Sequence, residues 1–201
     1  VNGHQAQPRI GAAYHFKSTG TVLRASYNRA YQTPPNENLL LSASEQAGSL
    51  APPAVREALG SAVAEIRPER QNFVEAGVQQ SLGKVASINA SVYRKTSTDQ
   101  QDNDNFLNTG IIFPITLKGI RVNGAEMRLN VPEYRRFSGT LSLTHYRAVS
   151  TPPFSGGLFL GISAIDALGA GPFVIDHDQK LGVPGNLTYT SRAWWWSSVS
   201  I

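Results

Sequence analysis

Two stretches of the sequence are dense in metal-ligating side chains: Asp176-His177-Asp178-Gln179 and Asp102-Asn103-Asp104-Asn105. A carboxylate–imidazole–carboxylate run could hold a divalent cation if its side chains converged. On an extended chain, however, neighbouring side chains point to opposite faces, so consecutive residues do not readily share one ion. Residues 176–179 read instead as a strand entry at an outer rim. The second stretch lacks the Gly and the distal Glu that complete a calcium loop, and reads as a solvated loop. No Ser occupies a G-x-S-x-G setting, and no nucleophile, base and orienting acid form a recognisable arrangement. The expectation is no catalysis, no bound metal and no cofactor.

Four charged residues point to a different chemistry. Arg24, Glu75, Glu126 and Arg128 lie inside stretches where apolar and polar residues alternate, and each has the parity of the polar set. Side chains of one parity share one face of a strand. The four would line a wet surface, pairing charges along it or contacting a polar solute, with charge pairing the more conservative role.

That surface needs strands, and the alternation supplies them. From Val85 onward Ala86, Ile88, Ala90 and Val92 are apolar, while Ser87, Asn89 and Ser91 are small and polar. Leu23, Ala25 and Tyr27 likewise oppose Arg24, Ser26 and Asn28, and Leu141 and Leu143 oppose Thr140, Ser142 and Thr144. The expected strands are Arg9–Phe16, Thr21–Gln32, Glu69–Leu82, Lys84–Thr98, Leu117–Val131, Arg136–Val149, Ile175–Thr190 and Ala193–Ile201. Several exceed the roughly 5–6 residues of a soluble strand and suit the roughly 9–11 of a tilted membrane strand. Between Val122 and Gly124 a bulge is expected, because Ile120 and Val122 are out of phase with Ala125 and Met127. Pro184 argues against a regular central strand and for a local kink or bulge in the seventh strand.

Short connections alternate with long ones, which are Thr33–Pro68, Asp99–Thr116 and Ser150–Val174. An up-and-down meander with short turns at one end and long loops at the other is the layout of a transmembrane β-barrel. The fold expected is therefore all-β: an antiparallel up-and-down barrel segment of about eight strands, with long extracellular loops. One short amphipathic helix is expected in the first loop, over Pro52–Ile66, where apolar residues recur at helical spacing. Gly156–Val174 is apolar and about long enough to span a membrane as a helix, but Asp166 and the surrounding Gly and Pro make it a Gly-rich loop. Aromatic residues cluster near strand ends, so two belts at the headgroup level are expected from Tyr14, Phe16, Tyr31, Tyr93, Phe137, Tyr146, Tyr189 and Trp195.

Composition agrees. Charged residues make up 16%, against about 25% in a typical soluble domain. The net charge of +4 comes from scattered Lys and Arg, with no stripe that would follow a nucleic-acid backbone. Cys is absent, which excludes disulfides and thiolate metal sites. The chain starts at Val1 and stops at Ile201 within an expected strand, and reads as a piece of a longer protein.

The order of these segments resembles the barrel of TonB-dependent receptors. The resemblance is carried by "PRIGAAYHF", "TVLRASYNRAYQTPPNENLL", "RPERQNFVEAGVQQSL", "NTGIIFPITLKGIRVNGAEMRLNV" and "VIDHDQKLGVPGNLTYTSRAWWWSSVSI". Within them Tyr31–Asn36 matches a Pro-rich loop entry, Pro68–Glu69 a strand opening, Lys118–Glu126 a longer form of a glycine-containing strand, and His177–Gln179 a strand entry. The resemblance implies that residues 1–201 are part of an integral barrel of the bacterial outer membrane. It further implies lipid around the wall, a plug domain and TonB as partners in the full-length protein, and import of a ligand that the loops do not identify. A passive porin or adhesion barrel shares the wall pattern, and a soluble β-sandwich binding module is the non-transport alternative.

Overall fold

The computed structural model describes residues 4–35, 67–105, 112–155, 171–174, 180–192 and 195–201. Nine strands form one antiparallel sheet: β1 Arg9–Phe16, β2 Thr21–Gln32, β3 Glu69–Leu82, β4 Ala86–Asn105, β5 Ile112–Tyr134, β6 Phe137–Ser155, β7 Phe173–Val174, β8 Gly185–Thr190 and β9 Trp196–Ser200. The order across the sheet is β1-β2-β3-β4-β5-β6-β8-β9, with β7 also on β6. The sheet is up-and-down throughout and does not close on itself, since β1 and β9 do not pair. All described strands belong to this one sheet, so among the described residues no second sheet covers either face.

Alternation sets the two faces, and the register carries them across the strands. Leu23, Val78, Ala90, Met127 and Leu143 lie opposite one another in sequence along one row. Ala25, Ala76, Val92 and Ala125 form the next row on the same face. This face is open: Val92 is 59%, Val74 51% and Leu23 47% exposed. The few buried residues, including Leu117, Ile120, Ala148, Ser97 and Ser150, sit together toward the long-loop end.

Three expectations about elements are corrected. The register between Gly119 and Val131 runs without a shift, so Val122–Gly124 holds no bulge and Ile120 and Val122 share the face of Glu126. The shifts fall instead at Leu117/Gly119 and Val131/Tyr134. The extra residue lies near Pro152–Pro153 of β6 in the first case and near Pro132 of β5 in the second, where proline has no N–H to give the ladder. Secondly, β4 and β5 continue their pairing out to Asn105↔Ile112, so most of Asp99–Thr116 is hairpin rather than loop. Asp102–Asn105 thus lies on β4, paired with Ile112–Ile115. Ladder bonds come from the backbone, and alternation does not reveal a strand whose side chains are polar on both faces.

Thirdly, the expected seventh strand is divided. In its described part a single bridge joins Gly182 to Thr144 and β8 begins after Pro184, while the two-residue β7 lies before its expected start. Ser142 N donates to Pro184 O at 2.8 Å, but Pro184 has no N–H to return. The helix expected over Pro52–Ile66, residues 156–170, Asp176–Gln179 and Trp194 lie outside the described residues.

The β5–β6 turn is two residues, Arg135 and Arg136, between the paired Tyr134 and Phe137. Their φ angles are 47° and 76°, the left-handed geometry of a type I′ hairpin turn, which favours Asn-Gly. Left-handed backbone costs a side-chain-bearing residue about 1–2 kcal/mol.

Candidate functional site on the polar face of the sheet

The polar face is built from three adjacent rows. Ser26, Glu75, Tyr93, Gly124 and Tyr146 form one, and Arg24, Gly77, Ser91, Glu126 and Thr144 the next. Val22, Gln79, Asn89, Arg128 and Ser142 form the third. The structure therefore brings Arg24, Glu75, Glu126 and Arg128 onto one face, at the middle of β2, β3 and β5. Two of them bear positive and two negative charge, so the patch is neutral as a whole while dense in donors and acceptors.

The contacts are cross-strand. Arg24 Nη2 donates to Glu75 Oε1 at 3.4 Å, with both side chains about one-third exposed. They are diagonal neighbours, since Arg24 lies opposite Gly77. Gly77 makes this reach possible: a Cβ there would come within 3.0 Å of Arg24 Cζ. Arg128 Nε donates to Ser142 Oγ at 3.2 Å on the neighbouring strand. Arg24, Asn89, Ser91, Arg128, Ser142 and Thr144 surround a shallow groove on this face.

A second glycine is occupied from above. The Tyr93 ring occupies the space beside Gly124, and a Cβ at Gly124 would overlap it. Phe73 stacks on the other side of Tyr93 at a centroid distance of 5.7 Å. An aromatic ring covering a strand glycine restores packing that the glycine forfeits.

This register separates the expected aromatic set. Tyr14, Phe16, Tyr31, Phe137 and Tyr189 fall on the apolar face. Tyr14 packs on Phe16, and Tyr189 on Phe137 and Trp195, with centroids 4.7, 5.0 and 5.8 Å apart. Tyr93 and Tyr146, expected in the same belts, share the face of Glu75 and Glu126 instead. Position near a strand end fixes depth along the strand, whereas parity fixes the face, and the parity of these two is that of the charges.

Sequence reasoning also missed where the apolar face ends. Arg94 and Arg147 lie in one row with Asn123 between them, and Arg121 in the next row out. All three arginines are exposed and have the parity of Val92, Ala125 and Leu143. A bulge at Val122–Gly124 would put Arg121 on the opposite face, so this boundary depends on the unshifted register. His145, in the last mixed row, bonds through Nδ1 with the Lys180 backbone carbonyl.

Among the described residues no group of three or more His, Asp or Glu side chains could hold a metal ion. The polar face can pair charges, donate and accept hydrogen bonds and stay wet. Strands with one such face and one open apolar face are the pattern of a barrel wall between water and lipid.

A family model described as "TonB dependent receptor-like, beta-barrel" matches residues 1–197. The chain belongs to this family. No curated protein matches. Among 23 matching chains of solved structures is one titled "Copper transporter OprC", with a TM-score of 0.61 and 16% sequence identity. The match covers 96% of this chain and 25% of that one, so the chain spans about a quarter of that transporter's length. At this identity the likeness establishes the fold. The antiparallel nine-stranded sheet is thus a sheet of the TonB-dependent receptor barrel type, and it does not close on itself. The family consists of transport proteins of the outer membrane.

Proposed function

We propose that residues 1–201 are part of the barrel wall of an outer-membrane receptor that imports a substrate with energy delivered through TonB. The observation that carries the reading is the two-faced sheet: large apolar side chains stand exposed on one side, and Arg24, Glu75, Glu126 and Arg128 share the other. In a soluble protein so large an exposed apolar face would be a liability; against hydrocarbon it is the ground state. The apolar face then meets lipid, with Tyr14, Phe16, Tyr31, Phe137, Tyr189 and Trp195 as its headgroup-level rings. The polar face then lines the lumen, where Arg24, Glu75, Glu126 and Arg128 keep the wall hydrated and hold a plug domain by polar contacts. The remaining strands and the plug belong to the rest of the full-length protein.

The test is electrical. Purified full-length protein is inserted into planar bilayers and its ion conductance recorded before and after a denaturant that unfolds a plug. Silence before and reversible conductance after is the expected result. Steady conductance from the outset identifies a passive pore and overturns the proposal.

A further inference from the structure

The Arg135–Arg136 turn lies at the short-turn end of the sheet, and both residues adopt the left-handed backbone that Asn-Gly would adopt more cheaply. Strained backbone that persists points to a use for the side chains it carries. Both guanidinium groups are seated on the aromatic margin of the apolar face. Arg135 Cζ lies 5.3 Å from the centroid of the Tyr134 ring, and Arg136 Nη1 donates to the Tyr189 hydroxyl at 3.5 Å. Thr190 N donates to Arg136 O at 2.8 Å, tying the turn to β8. Among the described residues neither arginine is in an ion pair, and Glu133 is the one carboxylate beside them in sequence.

Next to this turn, on the same face, is a hollow of about 400 Å³, within the roughly 300–1,000 Å³ of ligand pockets. It exists because Gly139 and Gly185 present no side chain between Leu129, Val131, Leu187 and Val199. Gly139 is held to glycine by the close approach of the Asn186 carbonyl. Tyr134 closes the end of the hollow nearest the arginines.

We propose that the turn and the hollow together bind one anionic phospholipid: its phosphate between the Arg135 and Arg136 guanidiniums, an acyl chain along the Gly139–Gly185 hollow. The proposal rests on the barrel reading, in which short turns face the periplasmic side and the lipid belongs to that leaflet. Guanidinium forks match phosphate oxygens in pairs, and the rings lie at headgroup depth. A free phosphate would use the arginines and leave the hollow unused, whereas a lipid uses both.

The test compares retention of phosphatidylglycerol and phosphatidylcholine on the detergent-extracted full-length protein by native mass spectrometry. Phosphatidylglycerol is expected to be retained in preference. The informative variant combines Arg135→Asn with Arg136→Gly, which removes both charges while giving the turn its preferred residues. It is expected to fold at least as stably and to bind phosphatidylglycerol about thirtyfold more weakly, each arginine near an anionic headgroup counting for roughly fivefold. Val199→Trp, which fills the hollow, is expected to weaken both lipids alike. Equal retention of the two lipids by the unchanged protein overturns the proposal, as does undiminished phosphatidylglycerol binding in the Asn-Gly variant. Displacement of the lipid by an equal concentration of glycerol phosphate also overturns it, leaving a phosphate site only. Outer-membrane fractionation and the heat-shifted gel mobility of a folded barrel are scored on the same samples. A folded barrel without lipid preference defeats the site alone, and the absence of a barrel defeats the underlying reading.

Discussion

Gly124 has no side chain because Tyr93 occupies the space where one would be. Glycine inside a strand costs about 0.5–1 kcal/mol in backbone freedom relative to alanine, and the covering ring offsets that loss through contact with the sheet and with Phe73. Gly124→Ala forces the ring off the strand. It is expected to destabilise the full-length protein by about 1–3 kcal/mol, the usual cost of overpacking, in urea unfolding from detergent micelles. Tyr93→Ala added to Gly124→Ala is expected to recover part of the loss. A neutral Gly124→Ala would show that the ring does not rest there. At this scale the sequence told much about charges and less about rings. That Arg24, Glu75, Glu126 and Arg128 share one face was legible because each has the parity of the small polar residues around it. The face of Tyr93 and Tyr146 is decided by parity, which closeness to a strand end does not reveal. Gly77 and Gly124 carried no signal in isolation, since their role depends on which residue lies across the strand, and that is set by register.

Register is decided by elements, and in this sheet prolines interrupt it. The shifts beside Pro132 and Pro152–Pro153 and the break before β8 at Pro184 share one cause, a missing N–H in a ladder. The interruption of regular pairing at Pro184 was legible from the residue alone. The absence of a bulge at Val122–Gly124 was not, because two apolar residues out of phase read as a slip when the wet face is taken to be wholly polar. Ile120 is buried at the long-loop end of that face, so an apolar residue there needs no change of phase. Pro184→Thr supplies the N–H that could return the Ser142 bond. It is expected to extend β8 toward Gly182 and stabilise the protein by about 0.5–1.5 kcal/mol, the net value of one hydrogen bond. Amide exchange checks this directly: slow exchange at position 184 supports the account, and exchange as fast as in an open loop contradicts it.

For the whole molecule the question is which face meets hydrocarbon. The nine strands make one layer with neither edge strand paired to the other, and the match to the copper transporter's chain covers a quarter of that chain. Among the described residues buried side chains are confined to the long-loop end, so along most of this layer burial does not tell one face from the other. Two consecutive residues of β4 separate the possibilities. Ala90 lies in the row of Leu23, Val78, Met127 and Leu143, and Ser91 in the row of Arg24 and Glu126. If the apolar face meets lipid, Ala90→Arg places a guanidinium near the middle of the apolar band. The expected cost is about 2–4 kcal/mol, the midplane value for Arg on a barrel exterior. Ser91→Arg adds one more charge to a wet wall that already holds both signs, within reach of Glu126, and is expected to change stability by less than about 0.5 kcal/mol. Heat-shifted mobility and urea unfolding of the full-length protein measure both. A soluble sheet that buries the Ala90 face under protein also penalises Ala90→Arg, so the deciding comparison is Ala90→Leu. A lipid-facing site accepts the larger side chain without loss, whereas a packed interior loses about 1–3 kcal/mol to overpacking. A large penalty for Ala90→Leu, or for Ser91→Arg, would reverse the assignment of the two faces and with it the proposed transport role.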